Sequence, residues 1–371
     1  MTGKNLFESQ AVIQVWGVGG GGCNAVNRMI QTSVEGVEFV ALNTDRQALS
    51  INFAERRIVL GEGATRGLGT GGDPNRGQAA AKESEREIME ELDGADMVFV
   101  TAGMGGGTGT GAAPVIAELA RRMDILTIGV VTRPFGFEGP KRRRLADAGI
   151  ERIKEFVDTL IVIPNERLLS VVEPRTSLQD AFLVADDVLR QGVQGISDII
   201  MKPGLINVDF ADVKSVMKGA GVALMGLGRG TGENRARNAA EAAVNSPLIE
   251  TDIQGARRLL VNITTGPSFS LGECQDAMEY IMQFADADDA AIYMGQVFDE
   301  SMGEDISITL LATGMEAAPT STSERDVFAR FDSPDEPAAK ERTTDLPSLE
   351  AVTFDEIDFD IPAFLRSQRT R

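Results

Sequence analysis

The sequence predicts an α/β fold: a mostly parallel sheet with helices on its faces, then one long helix, then a smaller α+β domain. Three observations carry this expectation. Strand-like apolar runs alternate with helical patterns from about residue 10 to 175. Two of those strands run into glycine-rich turns that open helices. An apolar stripe at helical spacing then continues unbroken from about 178 to 201.

The strand-like runs are, in order, "IQVWGVG", "VEFVALNTD", "RRIVLG", "ADMVFVTAG", "DILTIGVVT" and "TLIVIPN". Alternation of this kind indicates parallel strands with a ligand site at their carboxyl ends. The first run leads into "GGGCNAVNRMI", an expected helix start with Asn24 as its capping residue. The fourth leads into "GMGGGTGTG" at 103–111, six glycines in nine residues, followed by Val115, Ile116 and Leu119 at helical spacing. Glycine costs backbone entropy, and these flanks are those of a strand-to-helix turn rather than a linker. Such a turn aims unpaired N–H groups and a helix dipole at one point, which suits phosphate. Thr108 and Thr110 add hydroxyl donors. Gly17, Gly19 and Gly22 also satisfy G-x-G-x-x-G, with Asp45 where a ribose-binding acid would stand, so a dinucleotide-binding dehydrogenase is a rival reading.

The long helix carries Leu178, Phe182, Ala185, Leu189, Val193, Ile196 and Ile200 at three- and four-residue steps and stops at Pro203-Gly204. The segments "FADVKSVMKGAG", "RRLLVNITTG", "LGECQDAMEYIMQF", "AIYMGQVFDES" and "DISITLLATG" then suggest the smaller domain. From 316 the composition shifts to Pro, Ser, Thr and mixed charge, which opposes a packed core, before apolar residues return at Phe354, Ile357, Phe359, Ile361, Phe364 and Leu365. Apolar residues closing such a tail mark a docking peptide. The expected organisation is 1–177, a nucleotide-binding domain; 178–202, the central helix; 203–315, the α+β domain; 316–352, a disordered linker; and 353–371, the docking peptide.

Composition narrows the chemistry. Lys+Arg 36 against Asp+Glu 56 gives a net charge of −20, which opposes binding to nucleic acid or an anionic membrane by charge alone. The "KRRR" run at 141–144 reads as a solvated helix face. His is 0, which removes His triads, His metal clusters and His bases. The 2 cysteines are far apart, no signal segment is evident and apolar runs such as "ILTIGVV" are too short to span a bilayer, so a cytoplasmic protein is expected. Cys23 has no base to activate it and reads as a small residue packed at a helix start. In "NVDFADV", Asp209 and Asp212 stand three apart and share a face on a helical turn; residue types alone make them ordinary surface acids.

Taken together, "GVGGGGCNAVNRMI", "FVALNTD", "GGGTGTGAAPVIAE", "RPFGFEG", "IPNERLL", "GLINVDFADV" and "DIPAFLR" closely resemble the tubulin/FtsZ family of cytoskeletal GTPases over nearly the whole chain. The resemblance implies a Rossmann-like GTPase domain, a central helix and a C-terminal domain. It assigns GTP or GDP to Gly20, Gly21, Gly22, Cys23, Asn24, Thr44, Gly105, Gly106, Gly107, Thr108, Gly109, Glu138, Arg142, Asn165, Phe182 and Asp186, with Asp186 at the guanine edge and Glu138 and Arg142 at the ribose or phosphates. It implies Mg²⁺ held mainly through the phosphates, with K⁺ as a further candidate ion and no dedicated metal-ligating side chains. It places Asn207, Asp209 and Asp212 in a loop that inserts into the nucleotide site of the next subunit and completes hydrolysis in trans, so hydrolysis would require head-to-tail assembly.

The resemblance further implies filaments of the bacterial cell-division ring, held at the inner face of the membrane by adaptors that bind Asp360, Ile361, Pro362, Phe364, Leu365 and Arg366. The closing Arg366, Arg369 and Arg371 would either strengthen an acidic partner contact or touch anionic lipid. "GLGTGGDPNRG" at 67–77 is only broadly like the family's third loop, and its Asp73 would either repel a γ-phosphate or help hold a metal. A further rival is a scaffold that binds nucleotide and assembles but hydrolyses poorly; Asp209 and Asp212 argue against it.

Overall fold

The structure, a computed structural model, describes residues 11–315 apart from 171, 174, 203 and 252. The calls on the linker and docking peptide, 316–371, lie outside the described residues. Ten strands build one sheet: β1 (Ile13–Val18), β2 (Glu38–Asn43), β3 (Arg56–Val59), β4 (Met97–Gly103), β5 (Leu126–Arg133), β6 (Thr159–Pro164), β7 (Gly221–Gly230), β8 (Arg258–Thr265), β9 (Ala291–Phe298) and β10 (Ile306–Thr313). The helices are α1 (Gly19–Gln31), α2 (Arg46–Ser50), α3 (Glu62–Thr65), α4 (Pro74–Glu83), α5 (Glu85–Leu92), α6 (Thr108–Arg122), α7 (Pro140–Lys154), α8 (Asn165–Leu168), α9 (Leu178–Met201), α10 (Phe210–Met217), α11 (Arg235–Val244) and α12 (Leu271–Met282).

The strand order is β3-β2-β1-β4-β5-β6-β7-β10-β8-β9. From β3 to β7 every pairing is parallel; β10 then lies antiparallel between β7 and β8, and β9 closes the edge parallel to β8. After β1 the chain winds one way and after β4 it winds the other, so the β1–β4 pair is a topological switch point, where open α/β sheets bind ligands.

One core cluster, including Val15, Phe99 and Ile128, packs beneath α1 and α9, and a second, including Trp16, Val100 and Ile116, fills the other face under α4 to α7. Both faces of the parallel strands are therefore buried, which is why those strands read as continuous apolar runs. A third cluster, including Ala239, Val261 and Ile308, lies among α11, α12 and β8 to β10. Ser177 caps α9 by accepting the Asp180 N–H. Over its 24 residues the helix spans about 36 Å.

The seam between β7 and α11 shows how closely backbone meets backbone. Gly226, Gly228 and Gly230 point one way from β7, and a Cβ on any of them would fall 1.8–2.0 Å from the carbonyl oxygens of Ala243, Ala239 and Arg235, spaced every four residues on α11. The strand's period of two thus meets the helix's four-residue row with no side chain between them. Gly228→Ala is expected to cost about 1–3 kcal/mol by overpacking and to lower Tm by several degrees in a thermal melt; an unchanged Tm would show that α11 can slide off this seam.

Candidate nucleotide site

The switch point brings both glycine-rich turns together. α1 begins at Gly19, directly after β1, and its N-cap Val18 offers no side-chain acceptor. α6 begins at Thr108, and its N-cap Gly107 offers none either. The first-turn N–H groups of both helices are thus left for a ligand, with two positive dipole ends beside adjacent strand ends. Gly19 has φ +71°, and a Cβ there would lie 2.7 Å from the Gly109 nitrogen. Asn24 does not cap α1, contrary to the sequence expectation: the glycines themselves enter the helix, so Asn24 falls in its second turn.

A cleft of about 390 Å³ opens at the carboxyl ends of β1, β4, β5 and β6. α1 contributes Gly20, Gly21 and Asn24, which share one helix face at i, i+1 and i+4, while Gly22 and Cys23 are buried behind them. Glu138, Arg142 and Asn165 come from the segments after β5 and β6, and α9 presents Phe182, Ala185, Asp186 and Leu189 at helical spacing. Eight of the residues assigned from the resemblance therefore line one cavity: Gly20, Gly21, Asn24, Glu138, Arg142, Asn165, Phe182 and Asp186. Sequence reasoning missed Gly103, Met104, Thr132, Pro134, Ala185 and Leu189 as lining; Thr132 lies at the end of β5 and Pro134 directly follows it, and position at a strand's carboxyl end was the available signal.

Of the remaining assigned residues, Gly105, Gly106, Gly107, Thr108 and Gly109 form the turn and helix start beside the cleft, with Thr44 against them. The Thr44 and Thr108 hydroxyls lie 2.6 Å apart and buried, tying the end of β2 to the first residue of α6. The Gly105 N–H donates to Thr110 Oγ1 at 2.9 Å, which shapes the turn from within. A Cβ at Gly106 would come 3.9 Å from Arg142 Nη2, so the turn abuts the cleft's arginine. The Cys23 side chain faces the sheet, its thiol near the carbonyl oxygens of Gly17 and Leu42, and burial pushes its pKa up to about 12.

The cleft's electrostatics are uneven. Glu138 is ion-paired with Arg142 and also accepts the Phe135 N–H at 3.0 Å. Burial raises the Asp186 carboxyl to about 7, an effect that the nearby Arg28 charge opposes. Asn165 Oδ1 is buried without a hydrogen-bond partner, a free acceptor at the wall. At the mouth, Phe137 stacks on Phe135 at 5.0 Å between ring centroids, and Phe182 meets Phe135 edge-on at 5.4 Å.

Asp45 accepts the N–H groups of Gln47 and Ala48 through Oδ1 as the cap of α2, and it is not among the residues lining the cleft. Asp73 accepts the Asn75 N–H through one carboxylate oxygen and caps α4.

Asn207, Asp209 and Asp212 are not among the residues lining the cleft. Asp209 caps α10, accepting the Asp212 N–H at 2.8 Å, and Asn207 Oδ1 accepts the Gly204 N–H at 2.7 Å. The two acids thus do not stand as equals on a helix face: one holds the helix start, and the Asp212 carboxylate makes no hydrogen bond or ion pair among the described residues. The far end of α10 is tied to the amino ends of β5 and β6 by Lys218–Asp124 at 3.1 Å and by the Thr159 hydroxyl donating to the Met217 carbonyl at 2.6 Å. Those strand ends are opposite the cleft. Met201, which precedes the acidic loop, lies about 22 Å along α9 from Asp186.

Two uncapped helix starts at a switch point, with a carboxylate at the far wall, define a nucleotide-binding α/β protein. Residues 12–173 match the Tubulin/FtsZ family GTPase domain, and residues 221–316 match the FtsZ family C-terminal domain. The FtsZ dimer of M. jannaschii is 44% identical, with 83% of this chain and 89% of that one covered at a TM-score of 0.80. CetZ1 of Haloferax volcanii, a GDP-bound monomer, shares the fold at 20% identity and a TM-score of 0.72, over 83% of this chain and 96% of that one. CetZ2 of Haloferax volcanii, a GTPγS-bound protofilament, does so at 20% and 0.72 over 87% and 100%. This chain belongs to the tubulin/FtsZ family and is a GTPase that binds GTP and GDP.

Burial makes Cys23 unreactive in the native protein, whereas Cys274 is partly exposed. Alkylation of the folded chain is expected to modify Cys274 first and to reach Cys23 only on unfolding, as read by mass spectrometry of the labelled peptides. Equal labelling rates would overturn this account of the α1 start.

Proposed function

We propose that this GTPase assembles head to tail, and that Asn207, Asp209 and Asp212 of one copy complete hydrolysis in the cleft of the next. The carrying observation is the division of the machinery: the cleft residues gather at the carboxyl ends of the strands, and the acidic loop follows the opposite end of α9. A single copy then holds two half-sites that cannot meet within it. Contacts of this heterologous, non-closing kind generate filaments.

In this reading the phosphates lie on the N-termini of α1 and α6, the sugar end lies by Glu138 and Arg142, and the base reaches Phe182 and Asp186. A carboxylate suits guanine, whose N1 and N2 groups are both donors. The cleft's carboxylates are Glu138, already paired, and Asp186 at the base end. No cluster of three or more His, Cys, Asp or Glu among the described residues could hold a metal ion. Mg²⁺ therefore fits as an ion carried on phosphate oxygens, where it would neutralise their charge. Asp212, with its unengaged carboxylate, is the group to orient the attacking water of the neighbouring copy, and Asp209 fixes the loop that presents it. Docking of residues 360–366 on membrane-tethered division adaptors completes the proposal, since no described helix is long and apolar enough to cross a membrane.

GTP turnover per molecule is expected to be negligible in dilute protein and to rise above a threshold concentration at which light scattering also appears. Asp212→Ala should bind GTP normally and lose most turnover. Turnover per molecule independent of dilution, or full turnover in the variant, would sink hydrolysis in trans.

The raised Asp186 carboxyl gives a second expectation, with its sign set by the ligand. Guanine needs the ionised form, so protonation competes with binding. Affinity should hold above about pH 7 and fall as the pH drops through 7, approaching about tenfold per unit. Guanosine is the suitable probe because it carries no titrating phosphate, and Asp186→Asn should flatten the profile. A guanosine affinity independent of pH between 5 and 8 in the wild type would remove Asp186 from base recognition.

A further inference from the structure

The first turn of α7 carries four consecutive cations, Lys141, Arg142, Arg143 and Arg144, all exposed. Arg142 lines the cleft and is paired with Glu138. The side chains of Lys141, Arg143 and Arg144 make no ion pair or hydrogen bond among the described residues. Asp147, one turn further along α7, pairs with Arg133 at 3.2 Å rather than with these cations, and Glu166, which accepts the Gly136 N–H, keeps its charge. Three cations without an ion-pair partner among the described residues therefore flank the cleft's Arg142, on a chain whose net charge is −20.

That net charge is a problem for a protein that takes up a nucleoside triphosphate, because it repels the ligand at long range. Lys141, Arg143 and Arg144 stand within two residues of Arg142 on α7, so their backbone positions lie about one helical turn or less from a residue that lines the cleft, a separation below the roughly 8–10 Å Debye length of physiological salt. A field of this reach needs no contact with the ligand. We infer that Lys141, Arg143 and Arg144 form an electrostatic funnel that reverses the local potential and speeds entry of the polyanionic nucleotide. This rests on the reading of the cleft as the nucleotide site. The three are positioning residues for association and take no part in hydrolysis.

The test uses the full-length, nucleotide-free protein below its assembly threshold, a ribose-labelled fluorescent GTP and stopped-flow mixing. The variant is Lys141→Gln with Arg143→Gln and Arg144→Gln, and each single change is measured as well. These residues are exposed, and Gln is a good helix former, so α7 is retained. The association rate constant is expected to fall about threefold to tenfold at low ionic strength and to converge with wild type near 0.5 M salt, because steering is a screened effect on kon. The dissociation rate should be unchanged, and the affinity for uncharged guanosine should match wild type.

An unaltered association rate at low salt overturns the inference, as does a loss carried by faster dissociation, which would make the cluster a direct contact. An unaltered rate together with a raised assembly threshold overturns it in favour of a contact between copies. Failure of the wild-type protein to bind the labelled GTP would instead count against the nucleotide reading of the cleft.

Discussion

The approach of two glycine turns at the β1–β4 switch point is the constraint on which the rest of the site depends. With no Cβ at Gly19, the start of α1 lies directly against the Gly109 backbone. Two helix N-termini can then serve one anion. Everything around them follows from the same crossing. α1 must show Gly20, Gly21 and Asn24 on one face, Cys23 must turn inward, and β5 and β6 must end where Thr132 and Asn165 close the walls.

α9 converts that local site into a property of the whole molecule. Its first turns offer Phe182 and Asp186 to the cleft, its middle packs against α1 and the sheet, and its end delivers the chain into the loop capped by Asp209. One rigid element thus fixes the separation between the cleft and the acidic loop. The loop is anchored independently, by the Gln296 N–H donating to the Ile206 carbonyl at 2.9 Å.

Much of this was legible in the sequence because its signals are local. β1, β2, β4, β5 and β6 appear as largely apolar runs, the apolar stripe from Leu178 to Ile200 lies within one unbroken helix, and the glycine turns stand where a strand meets a helix. What was not legible depends on tertiary placement. Asn24 has a capping residue's chemistry, but glycines preceding it extend the helix past it. Asp45, Asp73 and Asp209 look like ligands as bare carboxylates, and only the backbone geometry shows that one oxygen of each caps a helix. Met104 and Leu189 line the cleft with no chemical signature at all. The antiparallel insertion of β10 between β7 and β8 reflects long-range pairing, about which local periodicity says nothing.

Placing the two half-sites at opposite ends of one stiff helix has an arithmetic consequence. In the proposed assembly, catalytic competence belongs to junctions, and an open row of copies has one junction fewer than it has members. One terminal nucleotide therefore has no neighbour to consume it, while the other end exposes a spare acidic loop. The two tips of such a row are chemically unlike, one keeping its triphosphate and the other offering a catalyst without a substrate. A sense of direction along the polymer is thus written into the length of α9.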